Sequence, residues 1–396
     1  MELKLLLRHR QPSGGPPCVI ITTFGVDANR LAVRSHFRGS LVAMRAVSDL
    51  FLSLTPEAVL DAVEAAGLRC ASACNPLNSY ENRVYEVGLE DGDRVIAKFY
   101  RPHRWTREQI LEEHAFIDDC HEDEIPVTTL RRFPNGSSLE ICPGTEDAGG
   151  IFYALFERRG GRAPEELSDE MLERLGMLVA RLHNAGAKRP ARHRHGLTPD
   201  RFIRDSVAVL KEKRLLPEGW RDAYVEAALA IADVADRRLA GVPLQRIHGD
   251  LHLGNLVERG GILNVLDFDD SCMGPVAQDM WLVLPGRDGE ARRQREVFLE
   301  GYEQLRSFDR STLRLIEPLR AMRIVHYSAW LARRWHDPAF PATWPHFGTE
   351  EYWMNETRVL METRTLLEEE DGMIMPDDSR GQELTNKDFF WDWDEK

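Results

Sequence analysis

Several things are scarce in this sequence, and each scarcity excludes something. No stretch approaches the roughly eighteen consecutive apolar residues of a bilayer-spanning helix, so a membrane protein of that kind is not expected. No two cysteines form a Cys-x-x-Cys pair. The six cysteines (Cys18, Cys70, Cys74, Cys120, Cys142 and Cys272) are scattered through a long chain, which argues against a disulfide framework and against a zinc site. Cys70 and Cys74 could share a helix face, but that spacing alone is a poor metal site. Reduced thiols in a cytoplasm are the default reading. Positive charge is also short: 51 Lys and Arg face 65 Asp and Glu, a formal net charge of −14, which argues against a general affinity for nucleic acid. Lysine is rarest where it matters, since Lys98 is the only one between residues 5 and 187. Neither a G-x-G-x-x-G loop nor a P-loop occurs.

What is present is a chain of 396 residues, 43% hydrophobic and 29% charged. That length exceeds what one hydrophobic core usually serves, so two lobes with a cleft between them are expected. Charge is uneven. Residues 1–50 carry a net of +4 and residues 368–396 a net of −8, leaving about −10 for the body. The first 43 residues are basic, broken by Gly and Pro and without helical period; they read as a disordered extension, with a transit peptide as the competing reading. Met44 precedes well-patterned sequence and is a candidate start. The acidic end from Glu368 reads as a disordered, solvated tail, although Phe389-Phe390-Trp391-Asp392-Trp393 could dock on something.

Between these ends the hydrophobic period changes once. Thr55 and Pro56 open a helix over 55–67. Val84 to Val87 and Arg94 to Tyr100, joined by Glu90-Asp91-Gly92-Asp93, read as a hairpin. A helix from Thr106 to about Cys120 follows, then strands around 130–133 and 150–156. Beyond Gly160 the 3.6-residue period of helices dominates over 164–187, 199–213, 218–240, 288–305, 310–335 and 349–367. The chain therefore divides into an extension (1–43), a small α+β lobe (44–157), a helical lobe (158–367) and a tail (368–396).

The helical run is interrupted at 243–270 by a dense polar cluster: His248-Gly249-Asp250-Leu251-His252-Leu253-Gly254-Asn255, then Val265-Leu266-Asp267-Phe268-Asp269-Asp270. An Asp on an apolar strand is costly to bury without a cation, so Asp267 with the amide oxygen of Asn255 suggests two hard ligands of Mg²⁺. Asp250, not needed as a ligand, can accept a hydroxyl proton. Asp, then Asn five residues on, then Asp after a short strand is the arrangement of base and metal ligands in protein kinases. His-Gly-Asp here replaces His-Arg-Asp, and Asp-Phe-Asp replaces Asp-Phe-Gly; both departures point to the aminoglycoside-phosphotransferase branch of the kinase-like proteins.

A kinase also needs a strand lysine against phosphate charge, and Val95-Ile96-Ala97-Lys98-Phe99 offers Lys98. Its carboxylate partner is expected on the next helix, Glu112 or Glu113. Glu113 is preferred because it stands three residues from both Ile110 and Phe116 on the apolar face. Leu77-Asn78-Ser79-Tyr80-Glu81-Asn82 could bring amides and the Ser79 hydroxyl to phosphate oxygens; the same segment also reads as an ordinary polar turn.

The strings LNSYENRVY, VIAKFYRPHRWTREQILEEH, HGDLHLGN, VLDFDD, GPVAQDMW and EPLRAMRIVHYSAWLARRWHDPAFP resemble the stress response kinase A family, bacterial serine/threonine protein kinases with an aminoglycoside-phosphotransferase-like fold. The resemblance covers roughly residues 50–365. It implies a two-lobed α+β protein with Asp250 as proton acceptor, Mg²⁺ on Asn255 and Asp267, an active-site role for Asp267 as well, an ATP contact at Ser79 and Lys98 as the phosphate-binding lysine. Asp279 is expected to brace the catalytic loop by accepting its backbone amides, with a plain N-cap as an equal reading that does not exclude this, and His248 to anchor that loop. Adenine is expected against the backbone after Phe152 to Glu157, and the arginines of 320–334 on or behind the acceptor side. The implied partners are proteins bearing Ser or Thr, with no nucleic acid and no membrane, acted on by a cytoplasmic monomer.

Three other readings compete. The same base, lysine and metal would serve a small-molecule hydroxyl kinase acting on an amino alcohol, sugar or antibiotic. Gly249-Asp250-Leu251-His252 faintly resembles the GDxH core of metallophosphatases, but the nearest DxH, Asp119-Cys120-His121, is far away and no GNH box follows. A non-catalytic nucleotide sensor is the third, although base, metal ligands and lysine are all present.

Overall fold

The computed structural model describes residues 49–373 except 50, 53, 147, 148 and 165. The expected extension, the candidate start at Met44 and the tail beyond residue 373 therefore lie outside the described residues. The described residues form two compact units: one of those up to Leu197 together with Pro243–Arg310, the other of Thr198–Val242 with those from Ser311. Among the described residues no helix is long and apolar enough to cross a membrane.

The first unit begins with α1 (Pro56–Ala65), where Thr55 caps the helix by accepting from the Ala58 amide. Strands β1 (Cys70–Pro76), β2 (Arg83–Leu89) and β3 (Arg94–Phe99) follow, then α2 (Arg107–Glu122), β4 (Leu130–Arg131), β5 (Glu140–Ile141) and β6 (Phe152–Glu157). They make an antiparallel sheet in the order β1-β2-β3-β6-β4, with β5 also on β6. Strand alternation sorts β3: Val95, Ala97 and Phe99 enter a core with Val59, Val63, Val87, Tyr153 and Leu155, while Lys98 faces the other way. Helix α2 is held at its start by a reciprocal capping box between Thr106 and Gln109. Ile110, Glu113, His114 and Ile117 form its buried stripe.

The same unit continues with α3 (Asp169–Ala187), β7 (Gln245–Ile247), the hairpin β8 (Leu256–Arg259) and β9 (Ile262–Val265), β10 (Cys272–Gly274), α6 (Ala277–Val283) and α7 (Gly289–Glu303). Strand β7 pairs antiparallel with β10, which brings the two halves of the polar cluster together. Helices α3 and α7 approach so closely at Gly176 that a Cβ there would run into the Phe298 carbonyl.

The second unit is helical: a π-helical turn at Asp200–Arg204, α4 (Asp205–Glu212), α5 (Glu218–Leu239), α8 (Ile316–Arg334), α9 (Ala339–Thr343) and α10 (Glu350–Met373). Trp353 of α10 is fully buried edge-on to Tyr224 of α5, with ring centroids 5.5 Å apart. The half-buried network at the far end of α5 joins Arg238 to Asp371 at 2.6 Å and to Glu370 at 2.8 Å.

Cys70 and Cys74 do not share a helix face. They lie on β1, in an irregular register opposite Leu89 and Val87, and pack partly buried against the core. Small residues without alternation hid this strand. The helix expected over 310–335 is a 3₁₀ turn, Arg310–Leu315, followed by α8, whose Pro318 fits only a first turn.

Candidate active site

Every residue of the site lies in the first unit. The polar cluster after β7 is a loop hung on one buried carboxylate. Asp279 of α6 accepts the backbone amides of His248 at 2.9 Å and Gly249 at 2.8 Å, so it braces the loop and is no helix cap. His183 holds the Asp279 carboxylate in turn, Nε2 to Oδ2 3.1 Å, and has its other ring nitrogen 2.9 Å from the Tyr302 hydroxyl. His248 is an anchor. Its Nδ1 accepts the Asp250 amide at 3.3 Å, so in the neutral ring the proton sits on Nε2, which donates to the Leu266 carbonyl at 2.8 Å. Gly249 has φ +82°, and a Cβ there would collide with the Asp270 carbonyl oxygen. That is the physical reason this position is glycine and not the arginine of a His-Arg-Asp motif.

Asp250 is partly buried, with Oδ2 3.5 Å from His252 Nε2. The Gly254 amide donates to His252 Nδ1 at 3.0 Å, which leaves the neutral ring's proton facing the carboxylate. Asn255 donates through Nδ2 to the Asp250 carbonyl at 2.9 Å, and its amide oxygen is a hard donor of the kind Mg²⁺ takes. The Leu266 amide donates to the Asn255 carbonyl at 2.9 Å. Asp250, Asn255 and Leu266 are thereby stapled together one residue before Asp267.

Lys98 stands on β3 between Val84 of β2 and Ala154 of β6. Its buried ammonium meets three carboxylates: Glu113 at 3.1 Å, Asp267 at 3.2 Å and Asp269 at 3.1 Å. Burial opposes the charge, but these carboxylates hold the ammonium well above its ordinary range, so it is fully protonated. Of the two candidate glutamates, Glu113 is the one at Lys98. Glu112 instead accepts the amides of Arg192, His193 and Arg194 at 2.5, 2.8 and 2.7 Å. Burial pushes Glu113 upward, against the pull of Lys98 and Arg194.

Asp267 departs from the expectation in one respect. It is not on the strand but two residues past it, in a left-handed conformation (φ 57°, ψ 74°), and its side chain is 54% exposed. The buried carboxylate is Asp269, 5% exposed, which the sequence reading did not single out. Burial raises Asp269, but Arg104, Lys98 and Arg194 outweigh it and hold the group well below the usual carboxylate range. Arg104 meets Asp269 at 2.7 Å, Asp270 at 2.5 Å and Glu81 at 3.6 Å. Arg194 meets Glu113 at 2.9 Å and lies over the Trp105 ring, 4.3 Å from its centroid. Neither arginine was anticipated; the only signal for Asp269 was its place where Asp-Phe-Gly has glycine.

Ser79 is half-buried in the loop between β1 and β2. That loop is held from behind by Arg101, which donates to the carbonyls of Tyr80 at 3.0 Å and Glu81 at 2.8 Å. Glu81, two residues on, reaches the site through Arg104, which meets Asp269 and Asp270. Among the described residues no cluster of three or more His, Cys, Asp or Glu forms a metal cage. The amide oxygen of Asn255 and the solvent-open carboxylate of Asp267 nevertheless suit Mg²⁺, which takes few protein ligands and keeps water or phosphate on the rest.

The profile of the phosphotransferase enzyme family matches residues 73–316. The stress response kinase A of Escherichia coli (strain K12) is 39% identical over 327 residues, covering 82% of this chain and 97% of that protein. A protein of Salmonella typhimurium named serine/threonine protein kinase RdoA matches at the same identity and coverage. Among solved structures, an amicoumacin kinase in complex with AMP-PNP, Ca²⁺ and Ami superposes with a TM-score of 0.61 at 21% identity, over 82% of this chain and 95% of that one.

Proposed function

From the premise that the chain belongs to the phosphotransferase enzyme family, among the relatives named stress response kinase A, we propose that it is an ATP-dependent serine/threonine protein kinase. The observation that carries this reading is the convergence of Lys98, Glu113 and Asp267 beside the Asp250–Asn255 loop, stapled through Leu266. The acceptor class rests on the name of the Salmonella typhimurium relative.

In this mechanism adenine lies against the backbone after β6, Ser79 and the amides around it contact the phosphates, and Lys98 offsets their charge. Mg²⁺ held by Asn255 and Asp267 would supply positive charge to the phosphate oxygens. Asp250 orients the Ser or Thr hydroxyl and takes its proton as the γ-phosphoryl group transfers in line. The loop's rigidity matters, because catalysis of this kind is mainly placement and electrostatics. The enzyme works as a cytoplasmic monomer.

The test is a labelled-ATP assay with purified protein, Mg²⁺ and a cell extract, followed by identification of the labelled molecule. Label on Ser or Thr of a protein is the expected result. Label confined to a metabolite would replace the protein acceptor by a small hydroxyl compound, the activity of fold neighbours such as the amicoumacin kinase. Asp250→Asn should lower turnover about 10³-fold or more while sparing ATP affinity; turnover near wild type would remove Asp250 as the base.

A further inference from the structure

Of the three carboxylates on Lys98, two are pinned and one is not. Glu113 gives one oxygen to Lys98 and the other to Arg194, and both Glu113 and Arg194 are 1% exposed. Asp269 gives Oδ1 to Lys98 and Oδ2 to the largely buried Arg104. Asp267 meets Lys98 through one oxygen, and no other cation touches it among the described residues. It is also the only one of the three open to solvent. A side chain clamped between two buried cations cannot swing without breaking a buried ion pair, which is costly. An exposed carboxylate with a single partner can leave at little cost.

We propose that Asp269 is the positioning residue that keeps Lys98 aimed into the site when Asp267 exchanges the ammonium for a cation, with Arg104 as its buried latch. The inference rests on the phosphotransferase reading above. It accounts for the Asp-Phe-Asp sequence, since glycine at the third position offers no such anchor. It also ties the Ser79 loop to the anchor, because Arg104 reaches Glu81 as well as Asp269 and Asp270.

The test reads the ammonium itself in the nucleotide-free protein. Lysine-selective ¹⁵N NMR is practical because lysines are few, and Lys98 should give a slowly exchanging, protected signal. The expected result is that Asp267→Asn keeps this signal and Asp269→Asn loses it. Kinetically, Asp269→Asn should lower kcat about 10- to 100-fold with KM for ATP changed less than about threefold, and it should add nothing in a Lys98→Met background. Loss of the signal in Asp267→Asn, its survival in Asp269→Asn, or losses that multiply in the Lys98→Met background would overturn the proposal. If Asp269→Asn fails to fold, Asp269→Asn with Arg104→Gln removes both partners and is read the same way. The NMR result needs no phosphotransfer, so failure of the anchor is separable from failure of the kinase reading in the labelled-ATP assay.

Discussion

Gly249 shows how much a single atom decides at the residue scale. Its φ of +82° lies where an L side chain costs about 1–2 kcal/mol, and the Asp270 carbonyl fills the space a Cβ would take. Gly249→Ala should therefore destabilise the protein by more than the backbone term alone, measured as a lower midpoint in chemical denaturation. It should also cut turnover, because the displaced amide of residue 249 loses its bond to Asp279. A variant as stable and active as wild type would mean that the loop relaxes freely and that its rigidity does not matter. The same scale explains why part of the site was legible and part was not. Asp250, Asn255 and Asp267 stand at a recognisable spacing that the fold brings together, and Lys98 stands out in a lysine-poor stretch. Asp269, Arg104 and Arg194 act through contacts 75 to 171 residues apart in sequence or through the second oxygen of a neighbour's carboxylate, and no local pattern carries that information.

Helix α10 carries a second consequence, one of electrostatics within an element. Glu356 is half-buried on this helix, and its loss of hydration raises its carboxyl from the ordinary range to about 7. Tyr224 of α5 and Tyr352 one turn earlier are pushed up in part by its charge. A carboxyl raised in the folded state stabilises the fold while protonated. The contribution is complete below the unfolded carboxylate's pKa and is lost as pH rises through about 7. Thermal melts should thus show wild type losing stability between pH 5.5 and 8 relative to Glu356→Gln, by roughly 1–3 kcal/mol at the alkaline end. Parallel pH profiles for the two proteins would place the carboxylate in solvent. Elements with a long period, such as α3, α5 and α10, were readable because a buried stripe repeats over many turns. Strand β1 was not, because Cys70-Ala71-Ser72-Ala73-Cys74 has no alternation and owes its conformation to pairing with β2.

For the whole molecule the balance of charge sets the conditions for binding. The protein carries −14 overall, and the site itself does not reverse that sign: Lys98, Arg104 and Arg194 face Asp250, Asp267, Asp269, Asp270 and Glu113. A nucleotide triphosphate entering alone would add its charge to an acidic site on an acidic molecule. A divalent cation on Asn255 and Asp267 would change that balance, so nucleotide and cation should bind as one ligand. Ligands that bind only the native state stabilise it by mass action, about 2.7 kcal/mol at a hundredfold excess over Kd. ATP with Mg²⁺ should raise the melting temperature by several degrees, whereas ATP with a chelator should leave it nearly unchanged. If Asp267 receives the cation, as proposed, Asp267→Asn should lose most of the increment. Equal stabilisation by ATP with and without Mg²⁺ would mean that Lys98 and its arginines suffice for the phosphates, and the division of labour between Asp267 and Asp269 would lose its electrostatic basis.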